Sequence, residues 1–400
     1  MEETKKTRIG IIYRYGVVDH IELYPIIPDF LLELGSRAEV YYIGPNGKKI
    51  KEDHLYPGVK YICLPFSVSR KRFNEKFIKA LLWYLYLPFI ALHCRLKRLD
   101  IIWIDESSLP MQARIVQVIS GCRVAQTVCD FFVDIYKDSS LLLRTLSGLL
   151  AKIDRKSWEK SAGIFTRTDA MRAHLVDAGV QCEIRTVRDA VLPDLFVPVD
   201  AAELRKELNY SDTDVVLCHH GILHPNKGIP LLLEYLADFF PKHPELKLLI
   251  IGDGPAHAEV EAAVKKYGMG NRVKMTGWLS SHAEVNRYLC AADIGLVMRL
   301  ATYYDHFHVT GACVHCMMAQ LPILSVNLRG VMEIIQDGEE GYIFDPKDKE
   351  SLFRQLTKLM GNKNARLNMG IRGRQKALQI FNPKQIAKET VECLLSWSKV

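Results

Sequence analysis

The chain has 400 residues, 48% of them hydrophobic, more than one core usually serves and enough apolar surface to bury two, so two domains are expected. Its net charge of +7 is modest for that length, and no interleaving of aromatic and basic residues accompanies it, which excludes nucleic acid as an expected partner. Ten cysteines are scattered, mostly inside apolar runs, and the charged stretch Met1 to Thr7 with a very short apolar run after it is no secretory signal, so a reducing cytoplasm is expected.

Arg8 to Tyr13, Ala38 to Ile43, Val59 to Leu64, Asp100 to Ile104 and Arg123 to Val128 are short apolar runs, several rich in Val, Ile and Tyr, and they read as parallel strands. Between the third and the fourth lies the apolar stretch Ala80 to Leu92. Ser69-Arg70-Lys71-Arg72, Lys76 and Lys79 precede it, and Arg95, Lys97 and Arg98 follow. It is too short to cross a bilayer, which takes about 20 apolar residues, and Pro88 sits inside it. One reading is a core helix whose basic ends face water. The other is surface attachment of the segment 69–98, with Trp83, Tyr84 and Tyr86 beside basic residues resting on anionic lipid. Both hold together if one helix buries one face and exposes its end.

Gly163 to Thr168, followed by Ala170 to Leu175 and Gly179, reads as the last strand–helix unit before a hinge near Asp189 to Pro198, where Pro193 and Pro198 bracket Leu195-Phe196. The expected domains are therefore 1–192 and 199–380.

In the second half, the run Val215 to His220 ends at Gly221, and Pro225-Asn226-Lys227-Gly228 opens an amphipathic helix through Phe240. Unpaired N–H groups at a helix N-terminus attract anions, and Lys227 adds a full charge suited to a diphosphate. The next strand, Leu246 to Ile251, ends in Gly252-Asp253-Gly254-Pro255, where Gly252 and Gly254 let the backbone approach a flat base or ribose. Such turns also close many doubly wound sheets without touching a ligand. Then come Val273 to Leu279, a helix to Cys290, Ala291 to Met298, a helix before Leu321-Pro322-Ile323-Leu324, Gly330 to Gly338, and Glu340-Gly341-Tyr342. Phe381-Asn382-Pro383 breaks a helix before the amphipathic Gln385 to Trp397.

In this order and spacing the chain resembles the family-four glycosyltransferases of the GT-B fold, strongly across about its last half and diffusely before it. The resemblance implies an α/β architecture of two Rossmann-like doubly wound domains facing a central cleft. The acceptor would bind the first, completed by the terminal helix 384–400, and the nucleotide-diphosphate sugar the second. It implies sugar transfer to a glycan or lipid-linked acceptor with retention of configuration, and with no cofactor or metal, because Lys227, backbone amides and the helix dipole stabilise the leaving diphosphate. A lipid-linked acceptor would place the protein on the inner face of a membrane. Leu279 joins the donor-binding residues.

The chain departs from the family in the region 303–320. The family's two glutamates, with seven residues between them at the start of a donor-binding helix, fall at Phe307 and His315 when counted back from Pro322. A shift of one or two residues puts Asp305 in the first position. His308 and Thr310 stand where the family has glycines, with a glycine only at Gly311, and Ile222 replaces an arginine upstream of Lys227. His315 can hydrogen-bond a ribose hydroxyl, Thr310-Gly311 can offer N–H groups and a hydroxyl to phosphate, and His308 or Arg299 adds positive charge. Either histidine reads equally as a polar residue satisfied locally. His306, His308, Cys313, His315 and Cys316 are soft ligands at close spacing, but a single Cys-x-x-Cys is weak and small cysteines pack core helices, so no metal is expected.

The catalytic side is less marked. Family members often carry a histidine at the end of the strand that here runs Ala125 to Asp130, and Cys129 takes that place. Asp130, at the carboxyl end of a parallel strand, is the candidate that orients the acceptor hydroxyl, with a turn or helix cap as its alternative. Asp105-Glu106 shares the suspicion. In the loop after the first strand, Gly16 permits close approach to the donor phosphates and His20 is a second candidate acid. Two rivals stand beside a transferase: a catalytically silent relative that binds a sugar nucleotide or partner transferase, which the missing glutamates permit, and a two-domain sugar-nucleotide epimerase, whose acidic and histidine pattern is not evident here.

Overall fold

In the computed structural model the described residues are 6–45, 49–66, 76–105, 109–129 and 141–399. They fall into two compact units, Met1–Ala190 with Pro383–Val400, and Val191–Asn382.

The first unit holds one parallel sheet of β1 (Arg8–Ile12), β2 (Glu39–Pro45), β3 (Val59–Leu64), β4 (Ile101–Ile104), β5 (Arg123–Thr127), β6 (Gly163–Thr166) and β7 (Ile184–Thr186), in the order β3-β2-β1-β4-β5-β6-β7. Gly163 to Gly179 holds β6 and the helix Asp169–Asp177, and one further strand comes before the hinge: β7 pairs with β6, Ile164 opposite Ile184. Three residues with a single apolar side chain are too few for alternation to register in a sequence.

Side chains alternate across the sheet. Ile9, Ile11, Tyr42, Trp103 and Phe165 pack under the helices Ile26–Arg37 and Pro383–Trp397, while Ile12, Ile43, Ile102 and Ile104 pack under Lys76–Leu96 and Gln112–Ser120. The terminal helix is seated by Trp397. Its ring lies on Gly163, where a Cβ would come within 2.3 Å of it, and its Nε1–H donates to Glu183 at 2.6 Å.

The helix Lys76–Leu96 runs through Pro88. Trp83, fully buried, donates Nε1–H to Gln112 at 3.1 Å; Tyr84 donates its hydroxyl to the Pro110 carbonyl; and Tyr86 packs on Phe66 with centroids 4.7 Å apart. The aromatic residues expected on a lipid face are therefore engaged with the body of the unit, where large rings bury the most area. Ser69 to Arg72 lie outside the described residues, as do the side chains of Lys76 and Lys79. Among the described residues no helix is long and apolar enough to cross a membrane.

The second unit holds β8 (Val215–His220), β9 (Leu246–Ile251), β10 (Val273–Met275), β11 (Ile294–Val297), β12 (Ile323–Val326) and β13 (Gly341–Phe344), all parallel, in the order β10-β9-β8-β11-β12-β13. Helices Ile229–Phe239, His257–Lys266, His282–Cys290 and Gly311–Met318 follow β8, β9, β10 and β11 in turn. The helix expected to open at Pro225 begins at Ile229, because Gly228 turns left-handed at φ 63 after a short 3-10 turn, with Leu300 packed where a Cβ would be. Within the stretch Val273 to Leu279 the strand ends at Met275, and Gly277, at φ 67, turns the chain.

Candidate functional site

Open α/β sheets take ligands outside the carboxyl ends of their strands, at the point where strand order reverses. In the second unit that point lies between β8 and β11. The loops after these strands wall a hollow of about 550 Å³ lined by His220, Lys227, Arg299, His308, Thr310 and Gly311, among others. Burial, reinforced by Arg299 and opposed by Asp305, pushes the Lys227 ammonium down to about 8. No carboxylate of the described residues lies within 4 Å of it.

Arg299, by contrast, donates to Asp305 at 2.6 Å. The second Asp305 oxygen accepts the Thr302 N–H at 2.9 Å and its hydroxyl at 2.7 Å. The one carboxylate that a shifted register offered is therefore buried and held in a cap, and Phe307 is in the core. Thr310 caps Gly311–Met318, its hydroxyl oxygen accepting from the Cys313 N–H at 3.3 Å. Gly311 and Ala312, whose N–H groups precede the first intrahelical bonds, line the hollow.

A second hollow of about 360 Å³ shares His220, Gly221 and Ile222 with the first and adds Gly252, Trp278, Leu279, His282 and His315. His220 Nε2 and His315 Nδ1 are 3.2 Å apart, and the His315 ring stacks on Phe196 with centroids 3.9 Å apart. Burial pushes His315 down to about 3 and His220 to about 4, so both are neutral at pH 7. They offer hydrogen bonds without charge. Trp278 stands at the rim, 71% exposed.

The glycine turn has a structural reason of its own. At Gly252, φ 133, a Cβ would lie 2.1 Å from the Gly221 carbonyl oxygen, and at Gly254, φ 159, 2.5 Å from that of Leu223. Two loops touch backbone to backbone there. Gly252 also lines the second hollow; Gly254 lines neither. Burial raises the Cys313 thiol and pushes that of Cys316 up to about 12, so both stay protonated, and among the described residues no three His, Cys, Asp or Glu are placed to hold a metal.

In the first unit the strand ends carry a buried polar network. His20 is buried, stacked on Tyr13, with Nδ1 bonded to the Tyr42 hydroxyl and Nε2 3.0 Å from Asp105. Asp105 also accepts from Thr127 at 2.6 Å and Arg167 at 3.2 Å, and Arg167 reaches Asp189 at 3.0 Å. Burial alone would raise the Asp105 carboxyl; Arg167, His20 and Thr127 outweigh it and hold it below its usual range. With both ring nitrogens engaged inside the core, His20 presents no proton at the surface. Gly16, at φ 117, starts the helix Val17–Leu23 that carries it. Asp130 and Glu106 lie outside the described residues.

Arg167, His220 and His282 were not singled out from the sequence. Arg167 directly follows β6 and His220 ends β8, the same strand-end position that drew attention to Asp105, so reading every polar residue at a strand's carboxyl end would have found both.

With this geometry in hand, comparison with known proteins places the chain. Residues 200–376 match the family described as glycosyl transferases group 1. It is 24% identical over 207 residues to an N-acetyl-alpha-D-glucosaminyl L-malate synthase of Bacillus anthracis, covering 52% of each chain, so it spans about half the length of that relative. It is 25% identical over 351 residues to a 2-deoxystreptamine glucosyltransferase of Streptomyces kanamyceticus, covering 82% of this chain and 86% of the other. Among solved structures, Anabaena HepE in complex with UDP superposes with a TM-score of 0.71 at 15% identity, over 98% of this chain and all of that one, which establishes the two-domain GT-B fold.

Proposed function

We propose that the protein moves a sugar from a nucleoside-diphosphate-sugar donor to a glycan or lipid-linked acceptor, with retention at the anomeric carbon and without a bound metal. The observation that carries this is the desolvated Lys227 ammonium, unpaired among the described residues, at the β8/β11 reversal beside the start of Gly311–Met318. A diphosphate is the ligand whose charge answers both. Lys227 and the amides of Gly311 and Ala312 hold the charge that develops on the leaving diphosphate, and His308 adds hydrogen bonds. The second hollow, with Gly252, Leu279 and His315, suits a base and ribose, which need close approach and hydrogen bonds but no charge. Family resemblance supports retention and metal independence, and HepE, a structural neighbour, is a complex with UDP.

The donor is assigned to the second unit, and the acceptor to the first, completed by the terminal helix. Asp130 orients the acceptor hydroxyl. His20, held between Tyr42 and Asp105, positions the first loop and Gly16 rather than handing over a proton. A lipid-linked acceptor puts the protein on the inner face of a membrane.

A second reading, donor binding without turnover, is favoured by one observation: no carboxylate lines the first hollow among the described residues. A thermal-shift screen of nucleoside diphosphates and nucleotide sugars tests the donor site, with stabilisation by at least one diphosphate expected and its loss in Lys227→Ala. Donor hydrolysis or transfer by the purified protein separates the two readings. No stabilisation by any diphosphate overturns both.

A further inference from the structure

The helix Lys76–Leu96 has two apolar faces. One is the core face under the sheet of the first unit. On the other side Leu81, Leu85, Phe89, Leu92 and Leu96, spaced four, four, three and four residues apart, are between 47% and 72% exposed. At 1.5 Å rise per residue they form a stripe about 22 Å long down one side of the helix. Single exposed leucines need no explanation, but an unbroken stripe of five large side chains marks an interaction surface.

The charges around it narrow the partner. From Lys76 to Leu96 there is no Asp or Glu, and Arg95, Lys97 and Arg98 are exposed at its carboxyl end. The rim of a protein–protein interface is polar and commonly carries both signs. A stripe on a helix that carries no anion and ends in three exposed cations matches a flat polyanionic surface. A helix with one face in the protein core cannot cross a bilayer but can lie in its headgroup plane, its apolar side in the acyl boundary and its cations at phosphates.

The geometry points to this stripe as a docking surface for an anionic lipid membrane, with the helix Lys76–Leu96 lying parallel to it. The inference rests on the proposed function only for its purpose, delivering a lipid-linked acceptor; its physical grounds are the stripe and its cations.

The test is co-sedimentation of the full chain with phosphatidylcholine vesicles with and without phosphatidylglycerol. Binding to the anionic vesicles that weakens with salt is expected. The double variant Leu85→Gln/Phe89→Gln should lower partitioning by about 100-fold from lost apolar burial, and Arg95→Glu/Lys97→Glu by at least about 10-fold, on anionic vesicles only. Both variants change exposed side chains, so their Tm and their stabilisation by a nucleoside diphosphate should equal those of the parent. A protein that binds vesicles but no diphosphate would refute the proposed function and leave the docking surface standing. The inference is overturned if the intact chain ignores anionic vesicles, if the double variant binds them equally well, or if sedimentation shows instead a dimer of the chain that the double variant dissolves.

Discussion

Replacing Lys227 by Met should stabilise the free protein and weaken diphosphate binding at the same time, a combination that a structural lysine would not produce. Burial lowers the ammonium from its usual 10.5 to about 8. That difference is about 3 kcal/mol against the charged form, discounted here to about 2 kcal/mol for its partial access to water. Met keeps the stem volume and removes the charge. Because the folded value is depressed, the unfolded chain binds more protons between pH 8 and 10.5, so the parent gains stability as pH rises through that window. Below it the penalty is complete, and at pH 7 the variant should melt roughly 5 °C higher. Its diphosphate affinity should fall by about 30- to 100-fold, the loss of a charge-assisted hydrogen bond of about 2–3 kcal/mol. Calorimetric melting at pH 7 and near pH 10, with and without nucleoside diphosphate, measures both effects. A variant that melts lower than the parent at pH 7 would mean that the ammonium has a native partner, and an unchanged affinity would remove the hollow from donor binding.

Asp105→Ala should cost about 3–5 kcal/mol, because it removes one of the two carboxylates paired with the Arg167 guanidinium and the acceptor facing His20 Nε2 in the core, whereas Asp105→Asn should cost less. With its folded value lowered, Asp105 contributes fully above its usual 3.8 and loses that contribution as pH falls through the folded value, which acid denaturation of parent and variant would show. The His220–His315 pair acts higher: both values lie below the usual 6.5, so stability should fall as pH drops from 6.5 toward about 4 and 3, and His315→Phe, which keeps a ring on Phe196, should flatten that slope. Gly254→Ala should lose about 2–4 kcal/mol from backbone strain and the clash with Leu223, yet the folded fraction should bind diphosphate normally. Gly311→Ala meets nothing closer than 3.7 Å and should leave stability within about 0.5 kcal/mol of the parent while weakening diphosphate binding. The reverse pattern for these two glycines would exchange the roles assigned to them.

Long apolar runs carried the fold well. β1, β8 and β9 read directly as buried parallel strands, since both faces of such a sheet are covered and most of their residues are apolar. β7 did not, because three residues carry no periodicity and its place is set by pairing with β6. In the site, Lys227 and the start of Gly311–Met318 stood out because a cation after a strand and a capped helix are local features. That Asp305 is held by Arg299 and Thr302, that His220 bonds to His315 ninety-five residues away, and that Gly254 answers to Leu223 are contacts between loops that no local pattern records.

The amino-acid sequence by itself determined the two parallel α/β halves, the strand-end loops and the residue types along them, because hydrophobic periodicity and turn chemistry act over a few residues. Which of those residues meet, and in what state of charge, was decided by tertiary packing. Desolvation depends on all that surrounds a group, and only when β8 and β11 lie side by side does Lys227 lose its water.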